Sequence, residues 1–189
     1  STLMRSSAAS DVYKRQILLA EIFLFCPITM SQNNPYKIND QLYSYYQKCN
    51  SAIRKPEVLL MADTLFHMAK KKGDVKAQCL ALNLKSDHYY FINDINTLLI
   101  EKEKVADFAR NTPYKQYIFG AWNRIITYYL RNREYDSAIQ ELKKYQDEAI
   151  RLDNPYGIGK SYVRMGDVYY QQRMFRLALQ QYKQAVDYY

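Results

Sequence analysis

Glycine and proline are scarce in this sequence, with five of each among 189 residues. Folds built from many short β-strands need these residues at their turns. The scarcity therefore argues against a sheet-rich fold and predicts an all-α chain. At this length, one domain is the expectation.

Cysteine and histidine are scarce too, and no two cysteines have the C-x-x-C spacing of a zinc or thioredoxin-like site. We expect Cys49 and Cys79 to be small buried side chains, and a disulfide between them stays open. His67 and His88 have no ligand set beside them in the sequence. The sequence therefore predicts no metal site.

Recognisable catalytic motifs are also missing. The segment GIGKSY, Gly157 to Tyr162, ends like a phosphate-binding loop, but Asn154 stands where that loop needs its first glycine. No Ser-His-Asp or Cys-His arrangement is recognisable. We predict no catalytic residue and no cofactor for this stretch of chain.

The first sixteen residues show no apolar periodicity. The stretch SSAASDVYKRQ, Ser6 to Gln16, resembles residue for residue the translated adaptor of transposase-based DNA sequencing libraries. We interpret residues 1–16 as adaptor-derived and exclude them from the fold prediction. A disordered native tail is the alternative.

An apolar run, ILLAEIFLFC, follows from Ile17 to Cys26. It is shorter than the roughly 20 residues that span a bilayer, and Thr29 and Ser31 give the small-x-small pattern of a cleavage site. We interpret residues 17–31 as a partial signal peptide, which predicts a periplasmic location. With Met30 as the initiator, the protein would be cytoplasmic instead.

The net charge contains no long block of one sign. It is +8 for the whole sequence, and leaving out Arg5, Lys14, Arg15 and Asp11 of the adaptor segment lowers it to +6. The remaining basic residues are scattered, which is typical of a solvated surface. This pattern does not favour nucleic-acid binding.

Tyrosine, in contrast, is abundant, with twenty residues, and some of them recur at a fixed interval. Three sets of residues are spaced forty apart: Tyr89, Tyr129 and Tyr169; Ile95, Tyr135 and Phe175; and Leu98, Ala138 and Ala178. A fixed period in the range of about 20–50 residues predicts a solenoid of repeated helical units.

The last unit combines large aromatic positions with small ones. These positions are Tyr162, Met165, Gly166, Tyr169, Phe175, Ala178, Tyr182 and Ala185. The pattern resembles the tetratricopeptide repeat, although the middle unit has Ile126 in place of the glycine and Tyr145 in place of the last alanine. The resemblance implies a right-handed superhelix of antiparallel helix hairpins, here with a period longer than the family's usual ~34 residues.

We predict eight helices, paired as hairpins at residues 40–72, 74–110, 113–152 and 155–189 of a repeat domain that covers 33–189. Their expected ranges are Asp40–Ile53, Pro56–Lys71, Asp74–Asn93, Asp94–Arg110, Pro113–Arg131, Glu134–Leu152, Pro155–Gln172 and Arg173–Tyr189. Thr112 and Asn154 are expected to cap helices that begin with proline. Because the last helix has an apolar stripe and no polar capping helix follows, we expect the array to be truncated at its C-terminus and to self-associate.

In tetratricopeptide folds, the first helix of each hairpin lines the partner-binding groove. The resemblance places the groove at Asn83, Asp87, Tyr90, Asn123, Arg124, Thr127, Arg131, Lys160, Arg164, Asp167 and Tyr170. Four of these residues are basic and would form a cationic stripe that suits an acidic protein or peptide segment: Arg124, Arg131, Lys160 and Arg164. Ordinary solvated charges are the alternative.

The stretch from Asn33 to Tyr189 also resembles the exported N-terminal region of bacterial membrane-bound sensor histidine kinases and related regulators. That resemblance implies an input domain for signal transduction, whose membrane-spanning and output segments lie downstream. A free-standing scaffold is one alternative. An enzyme whose active site lies in another part of the protein is a second.

We expect residues 1–16 to add nothing to folding stability, because they are not native sequence. A chain shortened to begin at Asn33 should have the same melting temperature as the chain of 189 residues, measured by circular dichroism. A clearly lower melting temperature for the shortened chain would contradict the adaptor interpretation.

Overall fold

The computed structural model describes residues 34–188. Ser1–Pro35 and Tyr36–Tyr189 are two compact units, and the helices described below belong to the second. The adaptor and signal-peptide interpretations fall on residues 1–31, which lie outside the described residues.

Eight α-helices and no β-strand occur within residues 34–188, which confirms the all-α prediction. They are α1 (Asp40–Ser51), α2 (Glu57–Lys71), α3 (Val75–Phe91), α4 (Ile95–Ala109), α5 (Gln116–Arg131), α6 (Tyr135–Arg151), α7 (Pro155–Gln171) and α8 (Phe175–Val186).

Five of the connections share one tight turn, built around a residue with positive φ. These residues are Gly73, Asn93, Arg133, Asp153 and Arg173, with φ between 47° and 69°. At each turn the positive-φ residue donates its N–H to the carbonyl three residues earlier, and the next residue donates to the carbonyl five residues before it. This is the Schellman arrangement, which satisfies the last carbonyls of a helix.

The residue after each of these turns is the N-cap of the next helix, so the connections are very short. Asp74 accepts the N–H of Ala77 at 2.9 Å and Asp94 that of Thr97 at 3.0 Å. Asn154 accepts the N–H of Gly157 at 2.7 Å, and Pro155 is the first residue of α7. The prediction of a cap at Asn154 is therefore confirmed.

Two connections lack this turn, the one between α1 and α2 and the one between α4 and α5. At the second of them the predicted helix start is wrong. Pro113 lies where the twenty-residue spacing of the turns calls for a positive φ, which the proline ring forbids. Thr112 instead donates its hydroxyl to the carbonyl of Ala109 at 2.9 Å and accepts the N–H of Tyr114 at 3.1 Å. Thr112 thus closes the end of α4, and α5 begins only at Gln116, without a side-chain cap.

The remaining helix bounds lie within a few residues of the predictions. Pro56 is the N-cap of α2 and not its first residue. The last helix, α8, ends at Val186 with Asp187 as its C-cap, and does not reach the predicted Tyr189.

The helices form two layers, and the helices of one layer lie closer to one another than the helices of the other layer do. Each helix packs on the next in the chain, and α1, α3, α5 and α7 also contact one another in succession. Within the described residues, the backbones of α2, α4, α6 and α8 do not approach one another closely, although side chains meet, as the rings of Phe66 and Phe108 do at 5.5 Å. We call α1, α3, α5 and α7 the inner layer. This hairpin packing is consistent with a helical-repeat solenoid.

Buried positions follow the forty-residue period in all four hairpins. Three sets of buried residues show it: Val58, Leu98, Ala138 and Ala178; Leu65, Val105, Tyr145 and Ala185; and Ala69, Ala109 and Ala149. The first hairpin, which contributes no residue to the three sets spaced forty apart in the sequence analysis, is therefore in register through α2. The second helices carry the repeat more faithfully, because they hold the small and aliphatic contacts between hairpins.

Gly166 gives α7 and α8 their closest approach. A Cβ at this residue would lie 2.4 Å from the ring of Tyr182, and the Tyr182 hydroxyl donates to Asp167 at 3.0 Å. Forty residues earlier, the equivalent pair is Ile126 and Leu142, both fully buried. The same space between two helices is therefore filled in two ways: by a glycine facing a tyrosine in the last hairpin, and by two aliphatic residues of medium size in the hairpin before it.

We predict that Gly166→Ala destabilises the protein by about 1–3 kcal/mol, the usual cost of overpacking. Alanine is the better helix former by about 0.5–1 kcal/mol, so a loss of stability reports the clash with Tyr182. Urea unfolding of Gly166→Ala, Tyr182→Leu and the double variant forms a double-mutant cycle. Replacing the Tyr182 ring with the smaller leucine side chain should relieve most of the cost of the added methyl group. Equal stability of Gly166→Ala and the wild type would contradict this packing account.

Candidate functional site

A cavity of about 680 Å³ opens on the inner layer between α1, α3 and α5. Its lining includes four of the predicted groove residues, namely Asn83, Asp87, Asn123 and Arg124. The other lining residues are Tyr36, Tyr46, Leu80, Gln116, Tyr117, Phe119, Gly120, Asn154 and Tyr156. The volume lies within the range of about 300–1,000 Å³ of small-molecule sites.

Asp87 and Arg124 form an ion pair across α3 and α5 in the wall of this cavity. Their side chains are 13% and 28% exposed, so both charges are largely removed from water. Burial lowers the pKa of the Arg124 guanidinium from its ordinary value, while the nearby hydroxyls of Tyr46 and Tyr36 oppose that shift. Arg124 is thus neutralised within the chain, which the sequence did not indicate.

Two asparagines occupy equivalent repeat positions beside the ion pair. Asn83 is buried, and its amide donates to the carbonyls of Cys79 at 3.1 Å and Tyr117 at 3.4 Å. The side-chain oxygen of Asn123 is buried but accepts no hydrogen bond from the described residues. The Asn83 amide therefore links α3 to α5, whereas the side-chain oxygen of Asn123 is an acceptor without a donor among the described residues.

Tyrosines from outside the predicted groove form much of the cavity wall. The hydroxyls of Tyr36 and Tyr46 lie 3.4 Å apart, and burial raises the pKa of both Tyr46 and Tyr117 well above the usual range. The segment that carries Tyr36 is held against α3, because Lys76 donates to the Tyr36 carbonyl. The phenols of Tyr46 and Tyr117 therefore stay protonated and neutral at physiological pH.

The predicted groove residues of α7 form a second, separate cluster. Arg164 pairs with Asp167 at 3.0 Å and donates to the hydroxyl of Thr127 on α5 at 2.7 Å. Asp167 also accepts the hydroxyl of Tyr182. This network joins α5, α7 and α8, and it neutralises the Arg164 charge as Asp87 neutralises Arg124.

The remaining predicted residues, Tyr90, Arg131, Lys160 and Tyr170, are not part of the cavity lining, and we call them the rim residues. Arg131 is exposed, and its guanidinium lies over the ring of Tyr90, 5.7 Å from the centroid. Lys160 is half-buried on α7, and Tyr170 is exposed with its ring edge-on to Phe175. Two of the four cations of the predicted stripe are therefore engaged in internal ion pairs, and Arg131 and Lys160 carry the rest of its charge.

The sequence reasoning missed most of the cavity wall. Tyr36 precedes the first helix, so no repeat register assigns it to the inner layer. Gly120 did leave a signal, because a glycine inside a helix costs about 1 kcal/mol relative to alanine and needs a reason. Its repeat equivalents are Leu80 and Lys160, so the missing side chain opens space in the middle of the inner layer.

Other classes of site find little support in the described residues. Cys49 and Cys79 are free thiols and both are buried. Within residues 34–188, no group of three or more His, Cys, Asp or Glu side chains is placed to hold a metal ion. In the same range, every helix is too short or too polar to cross a membrane.

Comparison with known proteins returned no match. None of the protein-family models, curated proteins or solved structures that were compared with this chain matches it. The resemblance to tetratricopeptide repeats thus rests on the residues themselves.

We predict that neither cysteine of the folded protein reacts with a thiol reagent. Burial raises the pKa of both thiols to about 11, so at pH 8 very little reactive thiolate is present. In a chain beginning at Asn33, Ellman's reagent should modify no thiol under native conditions and both in denaturant. Rapid reaction of one thiol in the native protein would contradict its buried position.

Proposed function

We propose that this chain is a helical-repeat binding module, which takes a protein or peptide segment on its inner layer. The observation that supports the proposal is that four groove residues chosen by repeat register line one cavity on α3 and α5, while Arg164 of α7 bonds to the groove residue Thr127 of α5. Solenoids commonly bind partners along such a surface. We assign no catalytic role to this region.

Charge recognition in this proposal belongs to the rim. Arg124 and Arg164 are matched by Asp87 and Asp167, so neither is available without separating a half-buried pair. Arg131 and Lys160 flank the inner layer on neighbouring helices, and we assign the attraction of an acidic segment to them. Tyr90 adds aromatic surface beside Arg131.

We further propose that the module is the extracytoplasmic input domain of a bacterial signal-transduction protein, either a sensor histidine kinase or a transcriptional regulator. The support is the resemblance of residues 33–189 to such input regions, together with the apolar run at residues 17–26, interpreted as a signal peptide. A downstream membrane segment would provide attachment. A free-standing periplasmic or cytoplasmic scaffold is the second candidate.

The binding proposal predicts a preference for acidic peptides. Peptides selected from a random display library on the wild-type protein should be enriched in Asp and Glu. Reversing the rim charges with Arg131→Glu and Lys160→Glu should weaken their binding at least about tenfold, which is about 1.4 kcal/mol. Fluorescence anisotropy at two salt concentrations measures both the loss and its electrostatic origin.

The matched control is Lys143→Glu with Lys183→Glu, two exposed lysines on α6 and α8, outside the inner layer. This pair changes the net charge equally, so it should leave the affinity nearly unchanged. Equal losses in the two double variants would mean that net charge, and not the inner layer, governs binding.

A further inference from the structure

The cavity on the inner layer has the composition of a small-molecule site with aromatic walls. Five of its thirteen lining residues are aromatic: Tyr36, Tyr46, Tyr117, Phe119 and Tyr156. A flat apolar group inserted among such rings gains both buried area and ring contacts. The wall therefore favours a ligand that carries an aromatic side chain.

The charged part of the wall is balanced, which restricts the ligand's charge. Asp87 and Arg124 contact each other through one carboxylate oxygen and the guanidinium Nε. A ligand of single charge would attract one partner and repel the other, and both are largely desolvated. A ligand that presents an ammonium and a carboxylate side by side would complement both.

Both partners have hydrogen-bonding capacity beyond their mutual contact. A guanidinium has five N–H donors and a carboxylate has two acceptor oxygens. One terminal nitrogen of Arg124 lies 3.5 Å from the place that a Cβ of residue 120 would occupy. The absence of a side chain at Gly120 thus leaves that nitrogen accessible from the cavity.

Asn123 adds an acceptor that lacks a donor. Its buried side-chain oxygen accepts no hydrogen bond from the described residues, and a buried acceptor without a donor destabilises the protein. A donor on the ligand would remove this cost. The cavity lining thus includes two acceptor residues, Asp87 and Asn123, and one cationic donor, Arg124.

We propose that the cavity binds a free aromatic α-amino acid as its zwitterion. The ammonium donates to Asp87 and to the side-chain oxygen of Asn123, and the carboxylate accepts from Arg124. The aromatic side chain lies among the tyrosines of the wall. This inference goes beyond the proposed peptide surface, because it requires the cavity and neither Arg131 nor Lys160.

Isothermal titration with L-phenylalanine, L-tyrosine and L-tryptophan tests the proposal on the full chain. We expect at least one of them to bind and to raise the melting temperature. N-acetyl-L-phenylalanine, which lacks the ammonium, and L-phenylalaninamide, which lacks the carboxylate, should bind at least about tenfold more weakly. Equal binding of the blocked forms would overturn the zwitterion assignment.

Gly120→Leu tests the location of the site. Leucine stands at the equivalent position 80 and suits a helix better than glycine, so we expect a folded protein with its cavity filled and binding lost. If that variant fails to fold, Gly120→Ala is the second test. Its methyl would lie 3.3 Å from the Asn83 side-chain oxygen and should weaken binding severalfold.

Two controls separate this proposal from the peptide surface. Arg164→Gln breaks an Arg–Asp pair outside the cavity, and Arg131→Glu with Lys160→Glu removes the rim charge. Both should leave amino-acid binding unchanged. Binding that survives Gly120→Leu, the absence of binding at millimolar concentration, or tighter binding of a neutral sugar such as D-glucose would each overturn the proposal.

Discussion

The Schellman turn, which recurs at twenty-residue steps from Gly73 to Arg173 with a single break at Pro113, is the constraint on which the rest of the structure depends. A single residue of positive φ ends one helix, and the next residue already caps the following one. This leaves no freedom in the length of the helices between turns. Burial of Val58, Leu98 and Ala138 at one equivalent position follows from that fixed phase.

The same phase determines which side chains share the inner layer. Residues forty apart lie at equivalent positions of neighbouring inner helices. The side chains that meet across α3 and α5 are fewer than forty apart, as Asn83 with the Tyr117 carbonyl and Asp87 with Arg124 show. Large residues at all such positions would close the layer. The cavity exists because glycine replaces the larger residue in one repeat, and because the chain before α1 contributes Tyr36 to the opening.

The sequence alone predicted the eight helices, their pairing and the cap at Asn154, because these depend on local signals. It misplaced the start of α5. Thr112 can either cap a following helix or close the preceding one, and the geometry around Pro113 decides for the second. The ion pairs of Arg124 and Arg164 were also beyond its reach. A repeat register gives the face of a helix, whereas side-chain pairing depends on rotamers and on distances between helices.

Gly166 and Tyr182 show that the hairpins are alike in backbone but not interchangeable. Removing one whole period of the chain would leave every remaining turn in phase, so the helices could still stack. The new junction, however, would bring together contact surfaces whose large and small residues were never matched to each other. The order of the repeats is therefore encoded in paired side-chain volumes, and duplication or loss of a hairpin would require compensating substitutions at the facing positions before a well-packed array returned.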